Sequence, residues 1–418
     1  MKDAFTDNTI RFIDLRGTGF SPADKNWQVK IHDAMLGVLQ DMKCLELKEP
    51  VLLKPHIGEP KGATFIIPQT STAVMEFLGA KKIKRTVCGD STVAYSGERG
   101  YKENPHNDCA RYLKLAAQRG WDAKGPLGTP FIILDRPATS TKGIYEFTGE
   151  EVFLKGDFGR YREIRGAGGY QAAGSIINIA HMTLHPVAHF ACAIKNIAMG
   201  GASYKGKLQM HQHYLPGIDE GKCLQCGECS AHCPAQALKW EAGDYPKLDE
   251  KSCIGCGECL SVCNEQGQAI TMETARIADW MRGEDTMQNR LMDYAAGLIG
   301  NRWSNLLNIA HLYNITRNCD CFDIVQKPIV NDIGILIGMN PFAIDFYARY
   351  LISNEMWKTK NKKELTYDEF KKGPNLLKQY FKDDAGTAPY EYLKKQYGIQ
   401  YEADEIKTHL CKTAASGQ

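Results

Sequence analysis

Two runs of cysteines with the same spacing are the strongest chemical signal in the chain. Residues 223–234 read CLQCGECSAHCP, and residues 253–263 read CIGCGECLSVC. Each run has the spacing C-x2-C-x2-C-x3-C, and together they hold eight of the fifteen cysteines. Thiolates are soft ligands that bind iron and zinc, whereas disulfides are rare in a reducing compartment. The spacing therefore predicts that these cysteines bind metal.

In bacterial ferredoxins this spacing holds two 4Fe-4S clusters. Three thiolates bind three corners of one cube, and the fourth, on the helix that follows, reaches the other cluster. A pair of zinc sites is the alternative, but zinc requires neither an interlocked fourth cysteine nor the proline that follows the first run. Asn264 stands where the second run would have that proline. The predicted ligands are Cys223, Cys226, Cys229 and Cys263 for one cluster, and Cys253, Cys256, Cys259 and Cys233 for the other.

Histidines are concentrated just before the cysteines. Five of the eleven lie between residues 181 and 213, and residues 166–194 contain no Asp, Glu, Lys or Arg. A helix that begins at Pro186 would place His189, Cys192 and Asn196 on one face. Lys195, in a pocket without water, can be neutral. Buried structural histidines, with the lysine reaching solvent, are the alternative. The predicted catalytic residues are His185, His189, Cys192, Lys195 and His211, and the predicted cofactor contacts are Lys195 and Asn196.

Composition narrows the class of protein. The chain has 418 residues, a formal net charge of +2 and no block of like charges, so it has no sign of a nucleic-acid-binding surface. The first residues, MKDAFTDNTI, lack the pattern of a signal peptide, which predicts a cytoplasmic protein. The uncharged stretch 166–194 contains histidines, Gln171 and Asn178, so we expect a buried core segment rather than a membrane span.

Apolar runs alternate with helical patterns on both sides of the cysteines. VLLK and SIINIA are typical of strands before them, and PFAIDFYARYLI is typical of a helix after them. This alternation predicts an α/β fold, with a mostly parallel sheet covered by helices on both faces. The predicted units are an α/β domain in two parts, 1–215 and 272–355, a two-cluster ferredoxin-like α+β insert at 216–271, and a helical tail at 356–418.

Five motifs occur in a characteristic order: VLLKPHIGEP, AIKNIAMGGASYKGKLQMH, the double cysteine run, NCDC and DIGILIGMNPFAID. In this order they resemble the widespread uncharacterised iron-sulfur-centre proteins, which carry the domain of unknown function number three hundred and sixty-two. The resemblance spans roughly residues 10–355. It implies cluster binding and an anaerobic habit, and it supplies no reaction.

A second similarity is limited to spacing. The intervals from His185 to Lys195 to His211 are similar to those of the nickel-pincer lactate racemases. That resemblance implies that Lys195 anchors a cofactor, that His211 binds nickel and that His185 transfers protons.

These features predict an oxygen-sensitive iron-sulfur oxidoreductase. Electrons would come from a ferredoxin-like or flavoprotein donor and pass through two 4Fe-4S clusters to a small-molecule substrate, or to a further metal or organic cofactor near His185 and His211. Two alternatives stay open: a racemase or epimerase with a nickel cofactor, and a non-catalytic electron carrier or maturation partner. The carrier would have no small-molecule pocket at the histidines. The sequence also leaves open a homodimer.

Overall fold

The computed structural model describes residues 7–410 except 96, 102, 105–108, 212–213, 234, 254, 256–257, 271–275, 278–285, 373–374 and 382–385. The strands are β1 (Thr9–Asp14), β2 (Val51–Pro55), β3 (Thr86–Asp90), β4 (Phe131–Ile133), β5 (Glu151–Phe158), β6 (Tyr161–Ala167), β7 (Ser175–His181), β8 (Thr183–His185), β9 (His189–Ala191), β10 (Tyr214–Leu215), β11 (Leu238–Lys239), β12 (Lys247–Leu248), β13 (Arg276–Ile277), β14 (Leu306–Leu312), β15 (Gly334–Gly338) and β16 (Glu405–Leu410).

The α-helices are α1 (Lys25–Gln40), α2 (Ala73–Ala80), α3 (Ala110–Gln118), α4 (Gly168–Gln171), α5 (Ala193–Gly201), α6 (Tyr204–His211), α7 (Glu228–Ala231), α8 (Glu258–Glu265), α9 (Met287–Ile299), α10 (Pro341–Asn361), α11 (Tyr367–Lys372) and α12 (Ala388–Tyr397). None of these helices has the length and apolar composition needed to cross a bilayer.

A mostly parallel sheet forms the centre of the molecule. Its strands lie in the order β16-β1-β15-β14-β7-β2-β3-β4. Strand β15 is antiparallel to both of its neighbours, and the other paired strands are parallel. Strands β2, β3, β7, β14 and β15 are buried along their whole length, as expected for strands that are covered on both faces. The predicted α/β class is confirmed.

Helices cover the two faces of this sheet. Leu53 of β2 belongs to a core with residues of α1, α2 and α3, whereas Leu52 belongs to a core with residues of α5, α9 and α12. The alternation follows from strand geometry, because neighbouring side chains point to opposite faces. Everything that β2 presents on the Leu52 side, including Lys54, therefore faces α5.

The C-terminal region differs in part from the predicted helical tail. It contains helices, but α10 continues through residue 355 to Asn361, so the predicted boundary falls inside a helix. The region also packs against the rest of the fold, because α12 buries Leu393 and Tyr397 in the core and β16 pairs in parallel with β1. Strand β16 is an edge strand, and its sequence EIKTHL has no continuous apolar run that would indicate a buried strand.

The two ends of the cysteine-rich segment lie side by side. Strand β10 pairs with β13 in antiparallel register, Tyr214 opposite Ile277, and the two cysteine runs lie between them. Within the segment, β11 and β12 form a second antiparallel pair. Helix α7 contains Cys229 and ends two residues before Cys233, and helix α8 contains Cys259 and Cys263.

Candidate active site

The pocket lies at the carboxyl ends of the parallel strands. Lys54 is near the end of β2, Asp90 ends β3 and His181 ends β7, and all three side chains line one cavity of about 80 Å³. Parallel strands bring their carboxyl ends to the same edge of a sheet, which is where α/β proteins bind ligands. Helix α5 closes the opposite wall with Lys195, Asn196 and other residues.

A row of polar side chains crosses the sheet beneath the pocket. Lys54, Asn178 and Asn308 are in register on β2, β7 and β14, and all three are buried. Asn196 of α5 joins them: its Oδ1 accepts from Lys54 Nζ at 2.6 Å, and its Nδ2 donates to Asn178 Oδ1 at 2.7 Å. Asn178 Nδ2 in turn donates to Asn308 Oδ1 at 2.9 Å. This network fixes the position of the Lys54 ammonium.

The predicted helix start at Pro186 is wrong. Residues 183–191 form a β-hairpin of β8 and β9, and α5 begins only at Ala193. Two local features favour the hairpin: His189 has a left-handed φ of +58°, and His185 Nδ1 accepts hydrogen bonds from the amides of Val187 and Ala188 at 3.0 Å. The side chain thereby satisfies amides that would otherwise need other partners. His189 and Cys192 consequently do not share a helical face with Asn196.

Most of the predicted residues nevertheless meet in the pocket. His185, Cys192, Lys195, Asn196 and His211 all line it. His189 is not among the lining residues: its ring stacks on Phe381 at 4.8 Å, and its Nδ1 lies 3.0 Å from Gln288 Nε2.

The sequence prediction missed several polar or charged residues of the pocket. They lie at the end of a strand, in the loop that follows a strand or on helix α6, and they are Lys54, His56, Asp90, Arg99 and Lys207. A lysine inside the apolar run VLLK, followed by a histidine, was the available signal. A charged residue in a strand buried on both faces needs a partner or a function.

Most of the charged side chains among the described lining residues are basic. These lining residues contain four lysine or arginine side chains and a single carboxylate, Asp90, which accepts an ion pair from Lys54 at 2.8 Å and a longer one from Arg99 at 3.5 Å. Glu59, which does not line the pocket, forms an ion pair with Arg99 at 2.7 Å. Burial lowers the pKa of Lys207 to about 8, and its Nζ donates to Ser91 Oγ at 2.7 Å. The balance of charge favours a small anionic ligand.

Two of the histidines that line the pocket, His185 and His211, have opposite hydrogen-bonding roles. His185 Nδ1 accepts from two amides, so the ring proton of the neutral form is on Nε2. His211 Nδ1 faces the Lys207 carbonyl at 2.8 Å and must donate to it, so its Nε2 is the acceptor. Burial lowers the pKa of His185 well below its ordinary value and lowers that of His211 to about 4. His185 therefore offers the pocket an N–H donor, and His211 offers it an acceptor nitrogen.

The cysteine-rich segment contains a second, smaller cavity of about 20 Å³. It is lined by Cys223, Cys226, Cys229 and Cys263, which are the four cysteines predicted to share one cluster. Burial, and then the neighbouring cysteines, raise the pKa of Cys229 to about 12. The amides of Ala269 and Ile270 donate to Cys263 Sγ at 3.2 and 3.3 Å. Amide donors to sulfur and four cysteines around one cavity fit the requirements of a cubane.

The second predicted set is described only in part, because Cys256 lies outside the described residues. Burial raises the pKa of Cys253, and the nearby charge of Cys233 adds to this effect, so the two cysteines lie close to each other. The Ala237 amide donates to Cys233 Sγ at 3.2 Å. Among the described residues no three or more histidine, cysteine or acidic side chains converge as a site for one metal ion. A cubane needs no such convergence, because each thiolate binds a different iron.

Comparison with known proteins gives one match. The family model for the domain of unknown function DUF362 matches residues 51–349. This range contains the pocket strands β2, β3 and β7, helix α5 and both cysteine runs. No curated protein and no solved structure matches the chain significantly.

Proposed function

The chain belongs to the DUF362 family, and we propose that it is an oxygen-sensitive iron-sulfur oxidoreductase that reduces a small anionic molecule in the pocket. The observation that carries the proposal is the cavity lined by Cys223, Cys226, Cys229 and Cys263, the interlocked set that the spacing predicts for one of two 4Fe-4S clusters. When bound, such clusters supply electrons one at a time.

A residue of the cysteine-rich segment lies within electrostatic range of the pocket. Glu258, the residue before Cys259, is buried, burial raises its pKa to about 8, and its carboxyl group contributes to the raised pKa of Tyr95, which lines the pocket. Burial is the main reason that the pKa of Tyr95 is raised, and the nearby charges of Cys321, Glu59 and Glu258 add to it against Arg99. This proximity of Glu258 to Tyr95 supports electron delivery from the second cysteine set to a ligand in the pocket.

The pocket residues have the chemistry that a reduction needs. Lys207 and Lys195 attract an anionic group, and the Nε2–H of neutral His185 is a hydrogen-bond donor that can stabilise negative charge on the reduced ligand. His211 Nε2, the acceptor nitrogen, can receive a proton. A non-catalytic electron carrier needs no such pocket, so the pocket favours the enzyme.

The test begins with anaerobic purification of the full chain, followed by iron and sulfide analysis and EPR of the reduced protein. We expect about eight irons per chain, because two cubanes contain that many. Substrate reduction is then measured as reoxidation of the reduced clusters by small carboxylic acids with a carbonyl group, with His185→Asn as the slow variant and Cys44→Ser as the control. A colourless protein that contains zinc would contradict the proposal.

A nickel-dependent racemase is the second candidate, because the structure brings His185, Lys195 and His211 into one pocket. In that case Lys195 would anchor the cofactor and His211 would be a nickel ligand. Nickel at about one per chain would favour this candidate, whereas its absence from an active preparation would remove it.

A further inference from the structure

Two cysteines that the proposed reduction does not use lie in the pocket. Cys319 and Cys321 follow strand β14, line the pocket and are 3% and 7% exposed. Lys195 Nζ is 3.4 Å from Cys319 Sγ and 3.7 Å from Cys321 Sγ. His56 Nε2 is 3.6 Å from Cys319 Sγ on another side. A cation and an imidazole thus converge on one sulfur inside a cavity.

This environment favours the thiolate form of Cys319. Burial alone would raise the pKa of Cys319, but a hydrogen bond from the Cys321 thiol and the charges of Lys195 and His56 outweigh it and hold the pKa well below its ordinary value. The same coupling raises the pKa of Cys321, so one thiolate forms rather than two. A thiolate in a positively charged, accessible setting is the reactive form of cysteine.

Cys192 shows that the effect is specific to one site. It lines the same pocket, yet burial and then the adjacent carboxylate of Asp345 raise its pKa well above the ordinary value. Of the three described cysteines that line the cavity, Cys319 is therefore the activated one, and the pKa values of Cys192 and Cys321 are raised.

We propose that Cys319 is a covalent nucleophile that adds to the carbonyl carbon of a small carboxylate-containing substrate in this pocket. The sulfur supplies the electron pair of the new C–S bond, and the π pair of the carbonyl moves to its oxygen. That oxygen takes a proton from the Lys195 ammonium, which lies beside the sulfur. No oxidant or reductant is consumed, and the reverse transfer of the proton to Lys195 releases the carbonyl compound.

The carboxylate preference comes from the basic lining. Lys54, Arg99 and Lys207 line the same cavity as Cys319, and within the described part of the chain Lys207 donates to the Ser91 hydroxyl and the Ala202 carbonyl and to no carboxylate. An anion that enters the pocket can therefore interact with Lys207 without breaking an ion pair of that residue. This inference goes beyond the proposed reduction, and its test requires no turnover.

The test uses two alkylating agents that differ in charge. The anaerobically purified full chain is treated with limiting iodoacetate or iodoacetamide, and peptide mass spectrometry follows each cysteine over time. We expect Cys319 to react roughly ten-fold faster than Cys192. We also expect the ratio of iodoacetate to iodoacetamide rates to be about ten-fold higher at Cys319 than at the exposed Cys44. Glyoxylate should protect Cys319 saturably.

Substitutions of Lys195 separate activation from folding. Lys195→Met should lower the alkylation rate of Cys319 by roughly ten-fold, whereas Lys195→Arg keeps the charge and should retain most of it. Because the iodoacetate ratio is measured on the unaltered protein, the test holds even if Lys195→Met fails to fold.

Three outcomes would overturn the proposal. Equal alkylation of Cys319 and Cys192 would remove the activated thiolate. Preferential labelling of Cys321 would remove the assignment to Cys319. An iodoacetate ratio no higher than that of Cys44, without protection by glyoxylate, would remove the carboxylate class of substrate.

Discussion

The position of a single proton determines what each pocket histidine can do. In His185 the two amide donors fix Nδ1 as the acceptor, so the same contacts that shape the β8–β9 turn also direct an N–H group from Nε2. The His185 side chain therefore both stabilises the turn and orients the N–H group that is proposed to act on the ligand. Substitutions that differ only in their ability to accept from the amides can separate these two roles.

We predict that His185→Ala destabilises the fold more than His185→Asn does. The asparagine Oδ1 can accept from the Val187 and Ala188 amides as Nδ1 does, whereas alanine leaves these buried amides without the acceptor, at a cost of about 1–3 kcal/mol. Both variants lose the Nε2 proton and should lose activity. Thermal melting and an activity assay measure the two effects, and equal melting temperatures would contradict the structural role.

His181 provides a prediction for pH. Burial opposes protonation of His181, but Asp320 Oδ2 at 2.5 Å and the Tyr313 carbonyl at 2.8 Å outweigh it, so the pKa of His181 is raised. A group whose pKa is higher in the folded state stabilises fully below its unfolded value, about pH 6.5, and this contribution is lost as the pH rises through the folded value. The pKa of Asp320 is lowered, so its own contribution is lost only at acidic pH.

We therefore expect the melting-temperature difference between the unaltered chain and His181→Asn to be largest near about pH 6 and to shrink toward alkaline pH. Melting curves across this range give the measurement. A difference that does not change with pH would show that His181 is not held as a cation.

At the scale of elements, the close approach of α5 to the sheet makes the pocket. A Cβ atom on Gly200 would lie 2.2 Å from both Cε and Nζ of Lys54, so only glycine fits while Lys54 pairs with Asp90. Ser91 Oγ also donates to the Gly200 carbonyl at 2.7 Å. The spacing of helix and strands therefore depends on this one residue.

We predict that Gly200→Ala lowers the melting temperature and weakens the binding of anionic ligands, because it displaces Lys54 from Asp90. Gly37→Ala is the matched control. Gly37 is exposed within α1 with no atom within 4 Å of an added Cβ, so alanine there should stabilise by about 0.5–1 kcal/mol. If the two variants melted alike, the packing of α5 against Lys54 would not limit the pocket.

The elements themselves were largely predictable, and the turns between them were not. The runs VLLK and SIINIA are continuous apolar segments because β2 and β7 are buried on both faces, and this pattern is visible without the structure. At Pro186 the sequence permits a helix start as well as a turn. The choice depends on the bonds of the His185 side chain and on the Asp345 carboxylate, which caps α5 at Ala193 and Ile194 from the distant helix α10.

At the scale of the whole molecule, the contacts that could not be predicted from the sequence are those between residues far apart in the chain. Strand β1 is antiparallel to β15 and parallel to β16, so its partners come from the other end of the chain. The pocket has the same character, because Lys195 and Cys319 meet only when the strands before each of them, β7 and β14, pair in parallel. Spacing along the chain carries information about the cysteine runs, where the contacts are local, and little about such distant pairs.

The crossing of the two cysteine runs leads to a prediction about the whole assembly. Cys263 lines the cavity of the first run, and Cys233 lies near Cys253 of the second. Substitution of the last cysteine in one run should therefore remove a ligand from the cluster that is held mainly by the other run. We expect Cys263→Ser and Cys233→Ser each to lower the iron content from about eight to about four, with Cys44→Ser unchanged.

The two variants should differ in function although they lose the same amount of iron. In the proposed path the set that contains Cys259 is the nearer one to the pocket, because Glu258 affects the pKa of Tyr95, and Cys263 belongs to the other set. With a chemical reductant, Cys263→Ser should still be reoxidised by substrate, and Cys233→Ser should not. EPR of each reduced variant identifies the cluster that is left, and stopped-flow absorption follows its reoxidation. Substrate-dependent reoxidation in Cys233→Ser alone would reverse the order of the two sets along the path.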